Sequence, residues 1–224
     1  MASTELWLVR HGESIANLAA GAAEAAGADV IDTPFRDADV PLSDLGQRQA
    51  AALGDWIAAR ELPPDAVWAS SYLRAQQTAA IALAEAHLAT PIRVDERLRD
   101  RELGVFDGLT IAGITRRYPE EAERLQRLGK FYHRPPGGES WVDVIARVRD
   151  FLRDVDSSGA QRALITAHDV VVLQFIYVCL GLTERQVLDF ATANTVANAS
   201  VTVLRRESLA EPWVMITFAD DSHL

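Results

Sequence analysis

Two histidines and two arginines sit where apolar runs end. Arg10 and His11 follow "ELWLV", which closes at Val9; His168 follows "RALITA", Arg162 to Ala167; Arg74 comes just after "AVWAS", Ala66 to Ser70, in the first turn of the next expected helix. A loop that leaves the carboxyl end of a buried strand and enters a helix is where open α/β sheets place ligands, and the helix amino terminus adds N–H groups for an anion. Imidazole serves as nucleophile or base at neutral pH, and guanidinium presents a planar fork to oxyanions. Gly12 permits close backbone approach. Three strand ends together offer a charge pattern suited to a phosphoryl group, and unpaired buried cations are too costly to be kept without a use.

Phosphoryl transfer also needs a proton for the leaving oxygen. The segment "ERLRDRELGVFDGLT", Glu96 to Thr110, is dense in carboxylates, and a rigid turn from Gly104 to Gly108 could present one of them to the site.

The elements that must position these groups alternate between short apolar runs and helical patterns. That rhythm predicts an α/β fold: three layers, a mostly parallel central sheet flanked by helices. Strands are expected at Glu5 to Val9, Ala66 to Ser70, Ile92 to Asp95 and Arg162 to Ala167, and "ASVTVLRR" with "PWVMITF" reads as a terminal antiparallel pair. Ser43 and Asp44 start a helix whose Leu45, Ala52, Leu53, Trp56 and Ile57 recur at helical spacing; a second runs from Ser71 to His87; Ser140, with Asp143 three residues on, caps a third. The chain of 224 residues reads as one domain, 1–224. "LAAGAAEAAGADVIDTPF" and "YPEEAERLQRLGKFYHRPPGGES" break the rhythm, and a loop or helical cover over the site is expected around 105–140.

A net charge of −10 argues against nucleic acid and against an anionic membrane as partners. Any anionic ligand must find a local basic pocket. The cations are almost all arginine, Lys130 being the sole lysine, which makes bidentate oxyanion recognition available. One cysteine, Cys179, fits a reducing, cytoplasmic compartment, and no segment reads as a signal peptide or a membrane span. Cys179 to Arg185 reproduces the C-x5-R spacing of cysteine-dependent phosphatases, but without a glycine-rich loop it reads as coincidence. His87, His133 and His223 are scattered, so no metal site and no cofactor is expected.

Arg10-His11-Gly12-Glu13 with Asn17, the Ser-x3-Arg-Ala-x-Gln-Thr-Ala pattern from Ser70 to Ala79, the acidic "DRELGVFDG", "GES" at Gly138 to Ser140, and His168 together resemble the histidine phosphatase superfamily, with its phosphoglycerate-mutase-like fold. The motifs occur in the family's order and span roughly residues 5 to 205. The resemblance implies that His11 takes the phosphoryl group while Arg10, Arg74 and His168 hold its oxygens and Asn17 assists. The family's proton donor is usually a glutamate four residues before the glycine of the acidic segment, and counting back from Gly104 reaches Asp100, favoured over Glu102. Gly12 and Arg101 are further substrate-binding candidates, and Tyr132, His133 and Arg134 lie where family members line the substrate side. Asp169 and Ser71 depart from the usual glycine and proline.

The resemblance implies a metal-free phosphomonoester hydrolase acting through phosphohistidine on a small phosphorylated metabolite. A bisphosphoglycerate-dependent phosphoglycerate mutase, for which Arg116 and Arg117 are weak pointers, and a non-catalytic phosphate-binding protein are the alternatives. Substrate identity stays open, as does a homodimer.

Overall fold

A computed structural model describes residues 4–224. The strands expected from their apolar runs form β1 (Thr4–Arg10), β2 (Ala66–Ser70), β3 (Ile92–Asp95), β4 (Arg162–Ala167), β5 (Val201–Arg206) and β6 (Val214–Asp220), joined in one sheet of order β3-β2-β4-β1-β5-β6. The first four strands pair in parallel; β5 and β6 add an antiparallel margin. β2 is buried throughout and β4 at all but its first residue, as a central strand covered on both faces must be.

Eight helices cover the sheet: α1 (Ile15–Ala25), α2 (Asp44–Ala58), α3 (Leu73–Glu85), α4 (Ile111–Arg117), α5 (Pro119–Tyr132), α6 (Trp141–Ser158), α7 (Asp169–Leu180) and α8 (Glu184–Ala193). One core lies between the sheet and α2 with α3, around Leu53, Ile57, Val67 and Leu164. The larger core lies on the opposite face against α6 and α7, around Val148, Phe151, Ile165 and Phe175. Each such buried side chain contributes about 1.5–3 kcal/mol of transfer free energy.

Ser43 and Ser140 are the amino-terminal caps of α2 and α6, and at α6 the Ser140–Asp143 capping box closes in both directions. The Ala/Gly-rich stretch is not all loop: its first half continues α1 to Ala25, because alanine favours the helix once Ser14 and Asn17 have nucleated it. The interrupted middle segment is likewise helical. In α5, Gly129 takes φ +72° and kinks the helix just before Phe131 and Tyr132. Residues 29–31 bond to 108–110 (Ile31 N–H to the Gly108 carbonyl, Thr110 N–H to the Asp29 carbonyl), so the loop after α1 and the turn before α4 form one wall. No helix is long and apolar enough to cross a membrane among the described residues.

Candidate active site

β1 and β4 are neighbours in register, Arg10 opposite Ala167, so the residues that follow them, His11 and His168, emerge side by side. Their ring centroids lie 5.2 Å apart and both are buried. β2 lies on the other side of β4, which brings Ser70 and, through the first turn of α3, Arg74 to the same edge. Parallel pairing of three strands is thus what converts three distant stretches of chain into one site.

The chemistry of His11 follows from its two bonds. Its Nδ1 is 2.7 Å from the Gly12 carbonyl, an acceptor only, so Nδ1 carries the proton. Its Nε2 lies 3.2 Å from Nε of Arg74, a donor only, so Nε2 offers a lone pair. Burial lowers the imidazole's pKa well below its ordinary value, and the positive charges of His168, Arg74 and Arg10 lower it further against a small opposing effect of the Gly12 bond. The ring is a neutral imidazole whose Nε2 lone pair faces arginine.

Arg74 is buried and uses its whole fork: NH1 donates to the carbonyl and carboxylate of Asp37 (2.7 and 2.9 Å), and NH2 to Oδ2 of Asp100 (3.1 Å). His168 accepts or donates at Nε2 with Ser70 Oγ (2.9 Å), while its Nδ1 lies 3.2 Å from Asp100 Oδ2 in an ion-pair contact that is not aligned as a hydrogen bond. Burial alone would raise the Asp100 pKa; the charges of His168 and Arg74 and the Arg101 backbone N–H outweigh it and hold the carboxyl well below the usual range. Arg10 donates to the Val196 carbonyl at 2.7 Å, and its buried Nε has no partner among the described residues.

Arg10, His11, Arg74 and Asp100 line a cavity of about 490 Å³ together with Asn17 and Arg101, whereas His168 and Ser70 are fully buried and are not part of the lining. Asn17 has two duties: its Oδ1 accepts from the Ser14 N–H in the α1 capping box (3.0 Å), and its side chain borders the cavity. The amino terminus of α7 contributes Asp169 and Val170 to the wall.

Other expected contacts fall elsewhere. Gly12 is not part of the lining. Its N–H is taken by Thr78 Oγ1 (3.0 Å), and a Cβ there would stand 2.5 Å from the Gly46 carbonyl oxygen, so the packing of α2 requires glycine at this position. Tyr132 and Arg134 also stand outside the cavity. The kink at Gly129 leaves Tyr132 on the exterior, 56% exposed, and Arg134 is paired with Asp143 in the α6 cap, Nε to Oδ2 at 2.9 Å. His133 is fully buried, bonded to Glu121 and stacked on Phe106. Glu102 accepts from the Tyr72 hydroxyl (3.2 Å) on the solvent side and is not part of the lining. Arg116 is bound to Asp29, and Arg185 is solvent-exposed beside Asp189, away from Cys179, whose thiol burial pushes up. No group of three metal-ligating side chains occurs among the described residues.

Several neighbours carried no sequence signal of their own. Tyr72 packs its ring edge on His168 at 5.2 Å and lies under the Arg74 guanidinium at 4.9 Å, fixing both. Asn198 donates to the His11 carbonyl at 2.9 Å. Asp37 and Asp107 bring two more carboxylates to the cavity.

The sequence model described as histidine phosphatase superfamily (branch 1) matches residues 6–218. A 2,3-bisphosphoglycerate-dependent phosphoglycerate mutase of Methylobacterium radiotolerans is 34% identical over 190 residues, 82% of this chain and 82% of its own. A 6-phosphofructo-2-kinase/fructose-2,6-bisphosphatase of Caenorhabditis elegans is 32% identical over 144 residues, which are 62% of this chain but only 30% of that protein's length. Among solved structures, a mycobacterial glucosyl-3-phosphoglycerate phosphatase superposes with a TM-score of 0.76 at 26% identity, covering 97% of this chain and 99% of that one.

Proposed function

Because the chain belongs to the histidine phosphatase superfamily, we propose that it is a phosphomonoesterase working through a phosphohistidine on His11. The observation that carries this reading is the Nε2 lone pair of a neutral, buried imidazole held at the mouth of a cationic cup. Nε2 attacks phosphorus in line; the N–P bond forms as the bond to the alcohol oxygen breaks. Arg10, Arg74 and His168 take the charge spread over the phosphoryl oxygens.

Asp100 is the best-placed proton carrier. In the free site it is ionised and paired with Arg74 and His168. Phosphoryl oxygens that engage those two groups weaken the pairing and add negative charge beside the carboxyl, so its proton affinity rises as substrate binds. The proton enters with the substrate and passes from Asp100 to the leaving oxygen; when water attacks the phosphohistidine Asp100 takes a proton from it, the N–P bond breaks with its electron pair returning to Nε2, and that proton departs with the phosphate, which restores the ionised carboxylate. No step calls on a metal.

Hydrolysis, and not transfer to a second hydroxyl, is the reading preferred here. Arg116 is tied to Asp29 outside the cavity, so it is not available to hold a second anionic substrate group, as transfer between phosphoglycerate positions would require. Phosphate release from a panel of sugar phosphates, phosphoglycerates, nucleotides and phosphopeptides, run with and without a bisphosphoglycerate primer, is the test. Primer-independent release supports a phosphatase; primer-dependent interconversion of phosphoglycerates would make it a mutase.

A further inference from the structure

Arg74 has to offer donors to phosphoryl oxygens while its own direction stays fixed, and the fixing falls on one corner of the guanidinium. Its Nε–H and NH2 share the edge that faces the reaction centre: Nε lies 3.2 Å from His11 Nε2, and NH2 lies 3.1 Å from Asp100 Oδ2. NH1 stands at the opposite corner, where one residue takes both of its N–H groups. Asp37 accepts there through its carbonyl at 2.7 Å and through its carboxylate at 2.9 Å. Guanidinium is planar and carries its donors in a rigid fork, so pinning one corner sets the direction of the edge across from it.

Asp37 is itself held in place. It opens the short turn Asp37–Asp39, which Arg36 closes by a two-pronged pair with Asp39 (2.9 and 3.1 Å), and its carbonyl also accepts from the N–H of the buried Val40. Gln77 then ties the segment to α3, accepting at Oε1 from the Leu42 N–H at 2.9 Å. Gln77 follows Arg74 by three residues on that helix, so the strap that carries Asp37 and the arginine it grips are anchored to one face of one element. The Arg74 end of the pair is buried, which protects it from the screening that makes surface pairs weak.

Resting on the phosphatase reading above, we infer that Asp37 is a positioning residue: by saturating NH1 it leaves the Nε–NH2 edge of Arg74 as the pair of donors that receives the phosphoryl oxygens beside His11. Asp100 can then release NH2 to the incoming group without loss of the arginine's direction, because Asp37 keeps its hold on the far corner. The role belongs to the acceptor atoms of Asp37. NH1 asks only for an acceptor, and a formal negative charge near the cup works against anion binding, so charge alone would make Asp37 a hindrance.

The test measures kcat/KM with p-nitrophenyl phosphate and the inhibition constant of inorganic phosphate for Asp37→Ala and Asp37→Asn, each made in the wild type and in Arg74→Lys. Asp37→Ser, whose hydroxyl is too short to reach NH1, is a parallel truncation suited to a turn. Truncation should lower kcat/KM and weaken phosphate by about tenfold each. Asp37→Asn keeps the acceptor and should stay within about threefold of the wild type. In Arg74→Lys there is no fork to direct, so truncation should change either constant by less than about twofold. Phosphate binding as tight as or tighter than wild type after truncation, an Asn variant as damaged as Ala, or losses that add to those of Arg74→Lys would each overturn the inference, while acid-labile label on His11 in the wild type leaves the phosphatase reading standing. Absence of that label with every substrate overturns the reading, and the inference with it.

Discussion

Arg74 donates its Nε–H to the Nε2 lone pair of His11 across 3.2 Å, and the Gly12 carbonyl holds the opposite nitrogen at 2.7 Å. Since guanidinium cannot accept and a carbonyl cannot donate, the two bonds dictate a single tautomer, protonated at Nδ1 and carrying its lone pair at Nε2. The relationship makes the pH dependence predictable. With its pKa lowered in the folded protein, His11 stays neutral as the pH falls past about 6.5, where a free imidazole would be half protonated. Asp100, held low, stays ionised over the same range. The free enzyme therefore has no titration of these two groups near neutral pH, and the required proton must arrive with the substrate. kcat/KM should be flat below the second pKa of the phosphomonoester, about 6, and fall about tenfold per pH unit above it. Repeating the profile with esters of different second pKa should move the break with the substrate; a break that stays fixed would assign it to the protein.

The two carboxylates of the acidic segment should separate cleanly. Asp100→Asn is expected to lose about 10²–10⁴ in kcat with an alkyl phosphate, and much less with p-nitrophenyl phosphate, whose leaving oxygen needs no proton. Glu102→Gln removes a half-exposed negative charge beside the Tyr72 hydroxyl and Arg99 and should stay within about threefold of the wild type. Steady-state rates on both substrates check this, and the reverse ranking would move the proton donor to Glu102.

The nucleophile loop rests on a backbone contact that tolerates no side chain. A Cβ on Gly46 would lie 1.9 Å from the Glu13 carbonyl oxygen, and one on Gly12 would lie 2.5 Å from the Gly46 carbonyl oxygen. Gly46→Ala must push α2 away from the loop that carries His11. A loss of about 3 kcal/mol or more is expected, lowering Tm by about 6–12 °C, with activity falling in the surviving folded protein. Thermal unfolding followed by circular dichroism measures it.

Much of this could be read from residue types alone, and the reasons are physical. Short apolar runs between helical patterns force strands into a covered sheet, and polar residues at the ends of such runs, His11, His168 and Arg74, must then gather along one edge. Asp100 follows only from the family resemblance, which puts the proton donor four residues before the glycine at Gly104; the acidic segment by itself leaves the choice among its carboxylates open. The wall formed by the pairing of residues 29–31 with 108–110 has no such signal, because a contact between irregular segments leaves no periodicity. Tyr132 and Arg134 lie outside the cavity lining for a related reason. One positive φ at Gly129 redirects the chain, and Asp143 of the following helix captures the arginine. The close approach of Gly12 to Gly46 is a contact across the fold that no local pattern announces.

The central claim is that phosphorus bonds to Nε2 of His11. Rapid quenching of the protein with a 32P-labelled phosphomonoester it turns over should trap an acid-labile, alkali-stable label that maps to the peptide containing His11. His11→Ala should show no label and a rate lower by about a thousandfold or more. Turnover retained by His11→Ala, or label found on another residue, would contradict the account.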